Sequence, residues 1–470
     1  MKKIYIVYII LFVLMAAIPL AGMPFYRNNA EGAEQRTLAE MPKLTGENGL
    51  NLAFPSGFED YFQDHFAFRS ELVNAGATLL LRVFRSSAED SVICGKDGWL
   101  FYAETLSDYS GLEVFTGGQL ARLGTVLRLE QQYCNENGAV YIFMSAPNKN
   151  SVYPEYMMAQ YLKAEAGSSS LDRLHTLLSA EGGTVSFLDL KGLLISEKAN
   201  GQQLYYAADS HWNLLGATYA YRGIMEKINE TVTVSYDPYE KAVFTAATRE
   251  GDLLKMVLPL DCIVSEANAA YDIETSYKYE GRFRTIDDIT IKTTSGKADV
   301  SSLLIHRDSF GRALIPLLSE QFASAVYLRG IPFDIYNNIE GKTVVIHEIV
   351  ERNLDTLLSR APIVPAAKLS AAEADALLAG SGAAVPGQDL VVLSKSVSGG
   401  LTQLYGYADL PEKADSGYRV FAEYNGQVYE GFPVYEEALK EQYGGESGKC
   451  GFSFYFEEEV SPEKITVYVS

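Results

Sequence analysis

From Ala139 to Leu358 short uninterrupted apolar runs alternate with segments whose apolar residues recur at helical spacing. A chain patterned in this way buries both kinds of element by laying helices on the two faces of a parallel sheet. The strand runs are Ala139–Met144, Thr184–Leu188, Ser302–Ile305 and Lys342–Ile346. The helical patterns are Leu171–Ala180, Gly216–Ile228, Arg312–Phe322, despite Pro316, and Ile349–Leu358, with Leu120–Gln132 just ahead. The fold class expected is therefore α/β, a doubly wound parallel sheet. Pro238–Lys297 is β-rich without a helical period and reads as an excursion from that sheet. Residues 362–387 are rich in Ala, Pro and Gly and read as a linker with one short helix, capped by Ser370 and Glu373. In residues 388–470 the pattern changes to aromatics at period two around an Asn425-Gly426 turn, which predicts a small β-sandwich.

The other end of the chain constrains topology. Lys2 and Lys3 precede an uncharged apolar stretch, residues 4–23, long enough to cross a bilayer at about 20 residues. The flanking positive charge keeps the amino terminus in the cytoplasm and puts the remainder outside. An uncleaved anchor over residues 1–23 is favoured over a cleaved signal, which has a shorter apolar region and a clearer small-residue exit. Residues 24–57 then read as a polar stalk leading to an α/β domain over 58–361. A formal charge of −21 argues against a nucleic-acid partner. Four widely spaced cysteines without a CxxC pair exclude a zinc ribbon and leave free or singly paired thiols open.

The chain has five histidines, so a general base has few candidates. His211 lies in Tyr205-Tyr206-Ala207-Ala208-Asp209-Ser210-His211-Trp212-Asn213, ahead of the helix beginning near Gly216. An Asp two residues before a His on a loop can reach its ring nitrogen and fix the tautomer. A nucleophile is available in Arg307-Asp308-Ser309-Phe310-Gly311, at a strand-to-helix turn where helix-start amides can stabilise an oxyanion. Asp308 is a further candidate for contacting substrate or oxyanion, though Ser309 and Asp308 could equally serve as helix caps. Asn148, on the loop leaving Ala139–Met144, is a candidate oxyanion donor or a turn cap. A metal hydrolase using Asp209 and His211 with His306 or Asp308 is the first rival, weakened because His347-Glu348 does not continue into HExxH. No Gly-rich phosphate loop or cofactor motif appears, and no cofactor is expected. The aromatic residues Tyr405, Tyr407, Phe432 and Tyr435 suit a sugar platform or, more readily, a β core.

Seven elements in order give the chain a wider resemblance: the membrane run, Phe58–Arg69, Gly95–Tyr102, Pro147–Pro154, Asp209-Ser210-His211-Trp212, Asp308-Ser309-Phe310, and Val344–Leu354 with Glu351-Arg352. In that order the chain resembles the DHHW and alginate O-acetyltransferase-like (AlgX/AlgJ-like) branch of the SGNH hydrolases. The resemblance implies an SGNH-like domain in which the Asp-x-His precedes the Ser, a circular permutation of the usual motif order. It implies Ser309 as nucleophile, His211 as base and Asp209 as its orienter, with Lys149 and Tyr153 as site-lining residues. It also implies O-acetylation of an exported polysaccharide, the acetyl group coming from a multipass membrane O-acyltransferase of the MBOAT-like type. A non-catalytic envelope scaffold whose C-terminal unit binds glycan is the alternative. One departure stands out: Ser210 occupies the position of the second His in the DHHW motif, between the two triad candidates.

Overall fold

The computed structural model describes residues 2–470 other than 24, 26–36, 47–48, 162–168, 181–184, 272–274, 297–300, 381–382 and 435–448. Lys2–Gly22 is a single helix, and its stretch Ile4–Gly22 is long and apolar enough to cross a membrane. Most of the residues that define the expected stalk, Arg27 to Arg36, lie outside the described residues. The chain then enters two helices, Phe54–His65 and Arg69–Leu79, the second continued by a wider turn over Leu80–Phe84.

A seven-stranded sheet organises the middle of the chain. Its spatial order is Phe187–Leu188, Val140–Ala146, Val344–Val350, Ser302–His306, Ser324–Leu328, Thr290–Thr294 and Lys278–Glu280. The first five strands pair in parallel, Thr290–Thr294 runs against them, and Lys278–Glu280 runs against Thr290–Thr294. Period-two alternation divides the core into two layers. Ile142, Met144, Leu303, Ile305 and Ile346 face the helices Leu190–Lys198 and Leu214–Asn229. Tyr141, Phe143, Leu304 and Val345 face Gly117–Glu136 and Ser170–Ala180. Both faces of the central strands are covered, which is why they read as unbroken apolar runs.

Three local expectations need correction. The stretch Pro238–Lys297 is only partly an excursion: Lys278–Glu280 and Thr290–Thr294 join the main sheet at its edge. The true departure is a two-stranded ribbon, Val243–Glu250 with Ile263–Ala270, whose connection carries the helix Asp252–Val257. Ile349–Leu358 is not a continuous helix. Ile349 and Val350 complete the strand opposite Ser145 and Ala146, because both β-branched side chains are buried in the sheet; only Glu351–Asn353 and Thr356–Ser359 turn helically. Arg312–Phe322 breaks into a tight turn, Phe310–Ala313, and a short helix, Leu314–Ser319. Pro316 falls in the first turn of that helix, where a missing N–H costs nothing.

Residues 362–387 do more than link. Ala367–Lys368 and Ala383–Pro386 form the two edges of a five-stranded sheet built on Val420–Tyr424, Gln427–Gly431 and Thr466–Val469. The helix Ala371–Ala379 between them carries the Ser370–Glu373 capping box. Asn425 and Gly426 both have positive φ, 52° and 79°, as a tight hairpin turn of matching twist requires. A three-stranded sheet, Val391–Ser398, Leu401–Asp409 and Lys449–Phe456, packs Leu404, Phe452 and Phe454 toward the five-stranded one. From its other face Leu401, Tyr405, Tyr407 and Tyr455 enter the same core as Leu123 and Leu354 of the α/β unit. Tyr405, Tyr407 and Phe432 are thus core aromatics, and Tyr435 lies outside the described residues. All four cysteines are free and buried.

Candidate active site

The central strand Ser302–His306 delivers a rigid turn at its carboxyl end, the place where open α/β sheets offer a crevice. Arg307 is fully buried; its amide donates to the Leu328 carbonyl at 2.8 Å and its guanidinium to the carbonyl of Ile286 at 2.7 Å. Asp308 ties the turn to the next strand, since its carboxylate accepts from the amides of Phe310 at 2.7 Å and Val350 at 2.6 Å. The Asp308 amide in turn donates to Glu348 Oε2 at 2.9 Å. Asp308 is therefore a brace for the turn and does not line the cleft. Gly311 is required by space, because a Cβ there would stand 2.6 Å from Arg307 Cβ. Ser309 is left at the apex.

The second loop is held just as closely. Tyr205 and Trp212 form an antiparallel bridge, and Asn213 caps the helix Leu214–Asn229 by accepting from the Gly216 amide at 3.0 Å. Trp212 Nε1 donates to the Phe310 carbonyl at 3.1 Å, and the Phe310 ring packs edge-on to Trp212 and 4.9 Å from the His211 ring. The two loops are clamped together. His211 Nε2 lies 2.8 Å from Ser309 Oγ, and Nδ1 lies 2.7 Å from Asp209 Oδ1.

A third element closes the arrangement, and sequence reasoning did not find it. Arg249 donates to Asp209 Oδ2 at 2.7 Å, and its Cζ sits 3.7 Å from the centroid of the Tyr206 ring. Asp252 accepts from the Ser210 amide at 2.6 Å and from the Ser210 hydroxyl at 2.5 Å, while its Oδ2 is 3.2 Å from His211 Nδ1. Gly251 admits this close approach, since a Cβ there would lie 2.4 Å from the Ala208 carbonyl oxygen. The only signal for these residues was a charged run, Arg249-Glu250-Gly251-Asp252, at the end of a strand, which is ordinarily a solvated surface. Ser210, the departure from the DHHW motif, is the residue that engages Asp252.

Electrostatics follow from this geometry. Burial pulls the His211 pKa down, but the hydrogen bonds that Asp209 and Asp252 accept from its ring, and their charges, prevail and hold it above the ordinary imidazole value. Burial pushes Asp209 up, yet its hydrogen bond to His211 and the charges of His211 and Arg249 hold it well below the usual carboxylate range. The ligand atoms of Asp209, His211 and Asp252 lie within 4.8 Å of one another. All four carboxylate oxygens already accept protein donors, including the amides of Asp252 and Leu253, so a cation would have to displace them. His306 stands apart, with Nδ1 donating to the Glu348 carbonyl at 3.0 Å and its ring against His347.

Three expected site residues lie behind the cleft rather than in it. Lys149 Nζ donates to the carbonyls of Tyr206, Ala207 and Asp209 at 3.0, 2.9 and 2.6 Å, supporting the His211 loop from the end of the first sheet strand. Burial pushes its ammonium down to about 7. The Tyr153 hydroxyl accepts from the Leu204 amide at 2.8 Å, and its ring packs on Trp99. Asn148 begins the helical turn Lys149–Val152, and its amide donates to the buried Glu351 at 2.8 Å. The cleft itself, about 680 Å³, is lined by Ser309, His211, Tyr102, Met256, Arg329 and Arg352 among others.

Residues 92–287 match the family described as SGNH hydrolase-like domain, acetyltransferase AlgX. The match contains Asp209 and His211 and stops short of Ser309. The "Probable alginate O-acetylase AlgJ" of Pseudomonas aeruginosa is 29% identical over 219 residues, 46% of this chain and 53% of that protein. The protein of the same description from Pseudomonas putida is 26% identical over 257 residues, 54% of this chain and 62% of that protein. The chain thus spans between 53% and 62% of the length of these curated relatives. Among solved structures, "O-Acetyltransferase Domain of Pseudomonas putida AlgJ" has a TM-score of 0.37 at 20% identity, covering 56% of this chain and 92% of that one. "Structure of Bacillus cereus PatB1 with sulfonyl adduct" has a TM-score of 0.44 at 17% identity, covering 56% and 95%.

Proposed function

We propose that this chain, whose residues 92–287 carry an SGNH hydrolase-like domain in the AlgX/AlgJ-like branch, is an extracytoplasmic O-acetyltransferase that modifies an exported polysaccharide through an ester on Ser309. The observation that carries the reading is the unbroken relay from Asp209 through His211 to Ser309, with links of 2.7 and 2.8 Å, opening into a cleft of about 680 Å³. In the first half-reaction the Ser309 oxygen attacks the donor's acetyl carbon while His211 Nε2 takes the hydroxyl proton. The tetrahedral centre collapses, the donor leaves with that proton, and Ser309 holds the acetyl group. In the second, His211 takes a proton from a sugar hydroxyl, whose oxygen attacks the ester; the acetyl group moves to the sugar and Ser309 regains its proton. Asp209 orients the imidazole and stabilises it while charged.

In this reading residues 4–23 anchor the chain in the membrane, a multipass O-acyltransferase of the MBOAT-like type supplies the acetyl group, and the base loop precedes the nucleophile in a permuted SGNH order. Residues 58–361 form the catalytic unit. The C-terminal β unit packs against it, and the burial of Tyr405, Tyr407 and Phe432 supports a structural role for those aromatics over a sugar platform. The test incubates the full chain in detergent with an aryl acetate and candidate glycans and measures the mass of enzyme and glycan. Acetylated enzyme and acetylated glycan are expected, with neither from Ser309→Ala. A Ser309→Ala protein that acetylates glycan normally would overturn the assignment in favour of another nucleophile.

A further inference from the structure

Helix Arg69–Leu79 and the turn Leu80–Phe84 present a row of apolar side chains that no described residue covers. Leu72, Val73, Leu79, Leu80, Val83 and Phe84 are all exposed, the last two by 64% and 66%. Their spacing is i, i+1, i+7, i+8, i+11 and i+12, which at about 100° per residue confines them to one stripe of about 140°. The opposite side packs Ala77 and Leu81 against Leu253, Leu254 and Val257 of the helix that carries Asp252. On this packed side the Leu260 amide reaches Asn74 Oδ1 at 3.4 Å, and the helix Asp252–Val257 also carries the exposed Met256. Met256 also lines the Ser309 cleft. The helix that bears the stripe therefore packs directly on the helix that borders the cleft, and six exposed apolar side chains in one stripe are far more than the isolated apolar residues of an ordinary surface.

The chain itself indicates what covers this face. The carboxyl end of the apolar helix Lys2–Gly22 touches the turn from which the stripe begins: a Cβ on Gly22 would lie 3.0 Å from Ala67 Cβ and 3.1 Å from Phe68 Cε2. The surface from which that helix emerges therefore lies beside the stripe. Arg82 and Arg85 flank the far end, at the rim of a second cavity of about 430 Å³ lined by Leu81, Leu100 and Leu254. Two guanidiniums beside an apolar stripe, on a chain of net charge −21, match the anionic headgroups over acyl chains that receive an interfacial helix.

We infer that this stripe docks into the outer interface of the bilayer that Lys2–Gly22 crosses, and holds the Ser309 cleft close to the membrane, one helix away from it. The inference rests on reading Lys2–Gly22 as an uncleaved anchor. Docking gives the proposed transfer a geometry: the catalytic unit does not swing on its tether, and Ser309 is presented where a membrane-embedded donor can deliver an acyl group.

The chain contains two tryptophans, Trp99 and Trp212, both buried, so a Phe84→Trp variant adds one exposed reporter. The full-length variant is reconstituted into vesicles of phosphatidylcholine and phosphatidylglycerol, with and without brominated acyl chains. The added indole should be quenched by the brominated lipid, and the wild-type emission should not. A Leu79→Glu/Val83→Glu variant should retain turnover of a water-soluble aryl acetate and lose most acetyl transfer from a vesicle-embedded donor. A chain that floats with the vesicles while its added indole stays unquenched overturns the docking alone, and leaves the stripe to a second copy or another protein. A chain that fails to float overturns the anchor, and the docking with it.

Discussion

Asp252 Oδ2 stands 3.2 Å from His211 Nδ1, the ring nitrogen that Asp209 Oδ1 reaches at 2.7 Å. Two carboxylates from separate elements thus face one imidazole N–H. Where a single Asp does this work, its change to Asn costs on the order of 10⁴ in turnover because the wrong tautomer is held. Here Asp209→Asn should cost less, on the order of 10², since Asp252 still accepts from Nδ1. The Asp209→Asn/Asp252→Asn pair should fall to the full deficit. Steady-state hydrolysis of an aryl acetate measures all three, and an Asp209→Asn enzyme already as slow as the pair would remove Asp252 from the relay.

Ser309 and His211 act as one unit in the proposed mechanism, so their losses should not add. Ser309→Ala and His211→Ala should each abolish most turnover, and the double change should be hardly worse than either. The melting temperature of Ser309→Ala should move little. A double variant slower by the product of the single losses would show that the two side chains act separately.

The pH dependence has opposite signs for rate and stability. A general base must be neutral, so aryl acetate turnover should rise with pH through a midpoint above the ordinary imidazole value of about 6.5, and Asp252→Asn should move that midpoint down. The raised His211 value stabilises the fold fully below about pH 6.5, and this contribution is lost as pH rises through the folded value. The lowered Asp209 value stabilises the fold above about pH 3.9, and this contribution is lost as pH falls through the folded value. The contribution of the pair to melting temperature is therefore greatest between about pH 4 and 6.5, on the acid side of the activity. Asp209→Asn should flatten that profile.

Lys149 matters for architecture. Lys149→Met would leave the carbonyls of Tyr206, Ala207 and Asp209 without their buried donor, at a cost of roughly 3 kcal/mol or more. Chemical denaturation should register the loss. An unchanged midpoint with a raised KM would instead mark Lys149 as a substrate contact.

A fragment of residues 388–470 omits both edge strands of the five-stranded sheet, Ala367–Lys368 and Ala383–Pro386. A fragment starting near residue 364 restores them and should show a higher melting temperature by circular dichroism. Even so it would expose Tyr405, Tyr407 and Tyr455, which pack into the core of the α/β unit.

What was legible in the sequence followed from burial and local turn chemistry. Runs such as Val344–Ile346 are apolar because both faces are covered, and Asn425-Gly426 announces its turn through the backbone it alone tolerates. The Asp209, His211 and Ser309 positions stood out as reactive types on loops beside such elements. Lys149 and Tyr153 lie close to the site in the chain and in space, yet the sequence does not say on which side of the loop a side chain lies. Arg249 and Asp252 were hidden for a related reason: their contacts with Asp209 and Ser210 cross about 40 residues of chain (249 − 209 = 40; 252 − 210 = 42), and no periodicity reports a long-range ion pair. Ile349 and Val350 misled because two buried residues fit a helix and a strand equally well.

Among the described residues the strands Val243–Glu250 and Ile263–Ala270 pair only with each other; this ribbon roots beside Tyr239 and Ala269 in the main core, and lies across Tyr206 and Ala207 through Asn268 and Glu266. At its closed end it delivers Asp252 to the imidazole and Arg249 to Asp209. Substitutions in the sheet or at the Ser309 turn put the reaction itself at stake, whereas a change in the length or twist of the ribbon alters how firmly Asp252 is pressed on His211 and Arg249 on Asp209. The fold thereby places a graded control on its speed in a segment outside the main sheet.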